Sequence, residues 1–302
     1  MGIKPTHKCV ETVFGEKYHL DFYQREYKWG KIHVETLLSD ILYKFESDYK
    51  PDIDPSVRSI SQYGWYYLNT VVTNEVEGRQ FIVDGQQRLT TLTLVLIYLY
   101  HRCVATDLPN LRDWLMSKIC GSHAEGKTFW MGAGNREPAF EALFSGKDEG
   151  GTSDSGSDVS CRNIFANYRV VRHFLDEQLR STHKLRAFVL YFMRCVELVQ
   201  LHIDDQRDVA MVFEVINNRG EPLKPYEVFK GELLGQLNKL DVEERYYQLW
   251  TDSINPLQAK DDNEPDRFFR LLFRSKHTDN RDQYQAFEGA YQRVVFSNLA
   301  HV

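Results

Sequence analysis

The residues of this chain best suited to chemistry gather in one stretch, residues 81–95, FIVDGQQRLTTLTLV. Phe81, Ile82 and Val83 are strand formers. Gly85 tolerates backbone angles closed to other residues, and Leu89, Leu92, Leu96 and Leu99 recur at helical spacing. Asp84 to Arg88 therefore falls at a strand-to-helix corner. The first turn of a helix presents unpaired N–H groups and the positive end of the macrodipole, and this corner adds a carboxylate, two amides and a guanidinium. That combination suits an anion. The plainer alternative is an ordinary turn in which Asp84 caps the helix and Arg88 is an exposed surface residue.

Two further corners have similar chemistry. Residues 18–29, YHLDFYQREYKW, begin with strand-like alternation and lead through Gln24-Arg25 toward a helix over 33–46. Later, a helix read over VAMVFEVI runs into Asn217-Asn218-Arg219-Gly220, and the next helix carries Lys230. Arginine forks bind phosphate oxygens bidentately and amides can orient a water. A single carboxylate can hold Mg²⁺ or another divalent cation beside phosphates, or polarise the attacking water. Gathered in space, the three corners would form a phosphoryl site. Taken singly, Arg25 and Arg219 suit surface ion pairs and Lys230 a solvated helix face.

The elements that must position these residues are readable around them. Residues 64–73 and 79–84 read as a β-hairpin whose second strand delivers Asp84, and residues 196–203 as one more strand. Helical faces are spaced over 33–46, 89–103, 163–180 and 183–195, and the chain beyond 225 is helical by pattern. Trp250, Phe268, Leu271, Leu272 and Phe273 are its expected core. Residues 145–158, rich in Gly, Ser and Asp, read as a mobile loop. The expected organisation is an α+β domain over 1–145, a flexible loop over 146–160, and a mainly helical part over 161–302 that completes the site.

Composition narrows the class. The chain has 302 residues, 42% hydrophobic and 13% aromatic, enough for a substantial core. A net charge of −6 argues against binding DNA through bulk positive charge, so any nucleic-acid contact must be local. Five scattered cysteines without a C-x-x-C pair fit reduced thiols rather than disulfides or zinc. The N-terminal stretch lacks an apolar signal region and no apolar run nears the ~20 residues of a membrane span, so a cytoplasmic protein is expected. P-loop, dinucleotide, zinc-protease and esterase signatures are absent from the sequence.

FYQREYKW (22–29), FIVDGQQRLTTLTLVL (81–96) and VFEVINNRGEPLKPYEVFKGELL (212–234) occur in the order and rough spacing of one family. The chain resembles the N-terminal domain family of GmrSD-type modification-dependent restriction proteins, itself similar to the ParB/sulfiredoxin-like superfamily, over roughly residues 14–240. The resemblance implies a small ParB/sulfiredoxin-like mixed sheet with helices, followed by a mainly α-helical second half. It also implies a nucleoside triphosphatase used against phage DNA, with Mg²⁺ or another divalent cation, and often an HNH nuclease domain or subunit as partner. Carried over, Asp84, Gly85, Gln86, Gln87 and Arg88 match the nucleotide-hydrolysis motif. Asp84, Gln86, Gln87 and Arg88 are the expected catalytic groups, with Asp84 the metal ligand. Gln24 and Arg25 match the Q-R motif, and Asn217, Arg219 and Gly220 the N-x-R-G motif; with Gly85, Arg88 and Lys230 these are the expected phosphate-binding set.

The chain departs from the family pattern where Phe22 and Glu26 stand in place of prolines, and where Asn69 stands in place of a strand glycine. The helical tail shows no HNH-like constellation, so nuclease activity is expected from a separate subunit or a further C-terminal portion. The alternative function is a non-catalytic sensor of modified DNA or nucleotide that regulates a partner nuclease. A homo-oligomer is compatible with either.

Overall fold

The computed structural model describes residues 3–20, 26–123, 126–131, 136–147, 159–205, 209, 212, 224–235, 243–278, 281–286 and 291. All but Val209 and Val212 of the VAMVFEVI helix, all but three residues of the Gly/Ser/Asp loop, and the corners at Gln24-Arg25 and Asn217 to Gly220 lie outside these residues. The chain divides into two compact units, Met1–Leu20 with Glu26–Gln206, and Asp21–Arg25 with Arg207–Val302. The protein is mixed α/β, with a mixed five-stranded sheet and a mainly helical C-terminal half.

In the first unit the elements run β1 (Ile3–Cys9), α1 (Val10–Val13), β2 (Tyr18–Leu20), α2 (Lys31–Asp48), α3 (Val57–Ile60), β3 (Tyr66–Val76), β4 (Arg79–Asp84) and α4 (Gln86–Ala105). They continue with α5 (Pro109–Ile119), β5 (Cys120–His123), β6 (Gly126–Phe129), α6 (Glu137–Phe144), α7 (Val159–Gln178), α8 (Thr182–Cys195) and β7 (Val196–Ile203). The sheet order is β1-β7-β3-β4-β2. The hairpin between β3 and β4 closes through Glu77-Gly78, both at positive φ (51° and 76°), the two-residue geometry whose twist matches its strands. On the far side of β3, β7 runs parallel, with Tyr66 opposite Val196 and Asn74 opposite Ile203. On the far side of β4, β2 runs parallel, with Leu20 opposite Ile82.

Helix α4 is the centre of this unit. From Leu89 to Leu99 its residues are buried all round, as befits a helix enclosed by others rather than laid on a surface. It packs with α5 and α7, and its leucines join Val71, Ile82 and Leu198 of the sheet in one apolar cluster. Burying so many large side chains holds the start of α4 firmly against the end of β4, at roughly 1.5–3 kcal/mol for each. Strand β1 escapes the alternation rule because Pro5 interrupts it. Proline is tolerated there because β1 pairs on one side only, with β7.

The register slips between Tyr67 and Asn69, where β3 carries one residue more than β7, and Asn69 takes φ of 119°. That is a backbone conformation that glycine adopts freely and most side chains avoid. Asparagine tolerates it by accepting the Thr70 N–H on its own Oδ1 at 2.7 Å. Asn69→Gly should leave the unfolding midpoint unchanged or raise it. Asn69→Val should lower stability by about 1–3 kcal/mol, because a β-branched residue is strained there. Equal midpoints for the two variants in urea would contradict this.

The second unit holds α9 (Pro225–Gly235), α10 (Glu243–Gln258), α11 (Glu264–His277) and α12 (Arg281–Ala286). Its core is Tyr226, Phe229, Ile254, Phe269, Phe273 and Tyr291, with Trp250 and Leu272 partly buried against it. Phe268 and Leu271, expected inside, are instead exposed at 45% and 54%. The run FFRLLF wraps more of α11 than α9 and α10 cover, and Phe269 and Phe273, four apart, take the inward face. No helix among the described residues is long and apolar enough to cross a membrane.

Candidate functional site

The corner forms as the spacing predicts. Strand β4 ends at Asp84, Gly85 takes φ of 99°, and α4 begins at Gln86. Glycine is required twice over. The angle is left-handed, and a Cβ at this position would lie 2.8 Å from Val71 Cγ2 and 3.3 Å from Val71 Cα, which is backbone. Gly85 is the N-cap and no side chain caps the helix, so Asp84 is not spent on the first turn.

The five polar residues that follow divide into rows one helical turn apart. Gln86 and Thr90 face Arg136, whose two terminal nitrogens donate to Gln86 Oε1 at 2.8 Å and Thr90 Oγ1 at 2.9 Å. All three are buried. Gln87 and Thr91 face the segment 26–29. Gln87 Oε1 accepts from the N–H groups of Lys28 (2.9 Å) and Trp29 (3.2 Å), and Gln87 Nε2 donates to the Glu26 carbonyl at 2.7 Å. Thr91 meets the Tyr27 hydroxyl at 2.8 Å.

From the opposite side, α7 holds the same segment with a row of its own. Ser160 Oγ accepts from Tyr27 N, Asn163 donates to the Tyr27 carbonyl, and Asn167 donates to the Trp29 carbonyl and the Tyr27 hydroxyl. Burial pushes the Tyr27 hydroxyl up to about 12, so it stays protonated.

Asp84 and Arg88 form the remaining row, and they are differently placed. Arg88 Nη2 lies 3.4 Å from Asp84 Oδ2, a long contact, with the two side chains 17% and 23% exposed. Arg88 Nη1 is buried and has no hydrogen-bond partner among the described residues. Burial lowers the pKa of the guanidinium, against the opposing pull of Asp84 and of the nearby Tyr67 phenol. A buried cation with an unmet donor beside a partly open carboxylate is costly unless something else completes it.

Among the described residues no group of three or more His, Cys, Asp or Glu side chains could hold a metal ion. The corner itself offers the single carboxylate of Asp84. That fits an ion bound largely by substrate phosphates and water, as Mg²⁺ is in nucleotide sites.

Of the expected site residues, Asp84, Gly85, Gln86, Gln87 and Arg88 are together in the first unit, and Lys230 is in α9 of the second. Gln24, Arg25, Asn217, Arg219 and Gly220 fall outside the described residues. Arg136 was not singled out from the sequence. In NREPAF nothing separates a buried structural arginine from a surface one, and only its partners in α4 reveal it.

No curated protein matches the chain. The family described as GmrSD restriction endonuclease, N-terminal domain, matches residues 10–234, a span that takes in the Asp84 to Arg88 corner, both clamped rows and every strand of the five-stranded sheet except β1. The chain therefore belongs to the GmrSD restriction endonuclease N-terminal domain family.

Proposed function

We propose that this restriction-system domain hydrolyses nucleoside triphosphates in a bacterial defence against modified phage DNA. The observation that carries the reading is the buried Arg88 Nη1, which lacks a partner among the described residues, next to Asp84. A phosphate oxygen supplies the charged acceptor that this donor lacks, and a guanidinium fork suits it. Asp84 polarises the attacking water or holds the divalent cation. When bound, that ion neutralises charge on the phosphate oxygens.

Gln86 and Gln87 keep a positioning role in this reading, because their side-chain amides already hold Arg136 and the segment 26–29. Gln24 and Arg25, just ahead of the clamped Glu26, are proposed to add to the phosphate-binding set with Asn217, Arg219, Gly220 and Lys230. Cleavage of DNA falls to an HNH-type nuclease on the same or another polypeptide. The full engagement of the Gln87 amide favours a second reading, a nucleotide or DNA sensor without turnover, since it leaves only Gln86 Nε2 to orient a water.

The test is phosphate release from each common nucleoside triphosphate with Mg²⁺ present. Release by the wild type, lost in Asp84→Ala, is expected. Nucleotide binding without release supports the sensor, and neither binding nor release rejects both nucleotide readings.

A further inference from the structure

Strand β3 enters the corner through a bulge that redirects one aromatic side chain. Residues three apart in a regular strand lie on opposite faces. Here the extra residue at Leu68 brings Tyr67 and Thr70 to the same face, and the Tyr67 hydroxyl meets Thr70 Oγ1 at 3.1 Å. Continuing the alternation, Thr70 shares its face with Val72, and Val72 sits opposite Asp84 in the β3/β4 ladder, where a second irregularity leaves Val83 of β4 as an extra residue and turns Asp84 away from the Ile82 face. Tyr67, Thr70 and Asp84 thus line one face at the end of the sheet where α4 begins. Tyr67 is also near enough to Arg88 to bear on its charge.

Yet 47% of Tyr67 is exposed. Other rings are also exposed, such as Tyr43 at 80%, and what sets Tyr67 apart is its place on the bulge, on the face that carries Asp84. The bulge, with Asn69 in a strained conformation, orders the backbone that turns this ring outward, and bulges beside functional sites commonly re-aim a side chain in this way.

We infer that Tyr67 is the platform on which the base of a nucleotide stacks while its phosphates engage Arg88. The inference rests on the phosphate-site reading above and adds the base-recognising residue to it. The hydroxyl bond to Thr70 sets the ring's angle, and the contact with the base is made by the ring face. Stacking on an aromatic side chain is tolerant of base identity, so the domain should accept several nucleoside triphosphates with modest preference.

Isothermal titration calorimetry with nucleoside triphosphates and with inorganic triphosphate separates the two contributions. In Tyr67→Ala, nucleotide affinity should fall at least about fivefold while affinity for inorganic triphosphate stays at the wild-type value. Tyr67→Phe, which keeps the ring, should bind nucleotides within about twofold of wild type. Equal weakening of both ligands in Tyr67→Ala, or a Tyr67→Phe protein as weak as Tyr67→Ala, overturns the stacking role. Unchanged nucleotide binding in Tyr67→Ala, with binding still dependent on Arg88, overturns it and leaves the phosphate site standing. A wild type that binds neither ligand removes both.

Discussion

Arg88→Ala is expected to cut nucleoside triphosphate hydrolysis by about 10²-fold or more while leaving the fold nearly as stable as before. The loss follows from what Arg88 has and lacks. It is held at the first turn of a helix buried all round from Leu89 to Leu99, it is mostly withdrawn from water, and one terminal nitrogen meets no acceptor among the described residues. Such a group is preorganised for a developing negative charge and needs no rearrangement to meet it.

The small effect on stability has the same origin. A buried guanidinium with one long contact contributes little to the folded state, so its removal should shift stability by less than ~1 kcal/mol. Arg88→Lys should recover little of the activity, because an ammonium cannot reproduce the planar two-pronged contact. Steady-state phosphate release and thermal unfolding of the three proteins decide the matter. Hydrolysis at the wild-type rate in a folded Arg88→Ala protein sinks the proposed site.

Gln87→Ala should behave in the opposite way, destabilising the protein by about 2–4 kcal/mol. The side chain makes three bonds to the backbone of residues 26–29, and its loss strands two N–H groups and a carbonyl in a partly buried place. Activity should fall as well, but as a consequence of the displaced segment. The signature is faster amide exchange at Lys28 and Trp29 in Gln87→Ala, with those amides unaltered in Arg88→Ala. If the two variants unfold at the same urea concentration, Gln87 is not the anchor described.

The contrast between Arg88 and its two glutamine neighbours shows which parts of the protein are legible in the sequence. Strands β3, β4 and β7 and helices α2, α4, α7 and α8 are read directly, because each is a local apolar period with turn residues at its ends. The corner at Asp84 is read for the same reason. Side-chain partners across the fold are another matter. Gln86, Gln87 and Arg88 are successive polar residues at a helix start, and in sequence they look alike as candidate ligand groups. Only when Arg136 lands beside one and the 26–29 segment beside the next does Arg88 stand apart.

Strand β1 and the hairpin of β5 and β6 have no such local pattern, on similar grounds. Ile3–Cys9 is made a strand by β7, nearly the whole first unit away in sequence, rather than by its own pattern. Likewise, Phe268 and Phe269 are identical residues side by side, and the neighbours of α11 alone decide that the second is inside.

The order in which the sheet is threaded also matters for how the protein is made. Strand β3 ends at Val76, but its parallel neighbour begins only at Val196. At ribosomal rates of about 5–20 residues per second, the two emerge on the order of ten seconds apart. The hairpin with β4 and the turn into α4 are local and can form at once. During that interval the other edge of β3, with Val71 and Val72, stands open as a template for foreign strands. The nascent chain thus passes through an aggregation-prone stage that ends only when β7 docks. Crowded overexpression should lengthen it, and cooler, slower expression with abundant chaperone should favour soluble product.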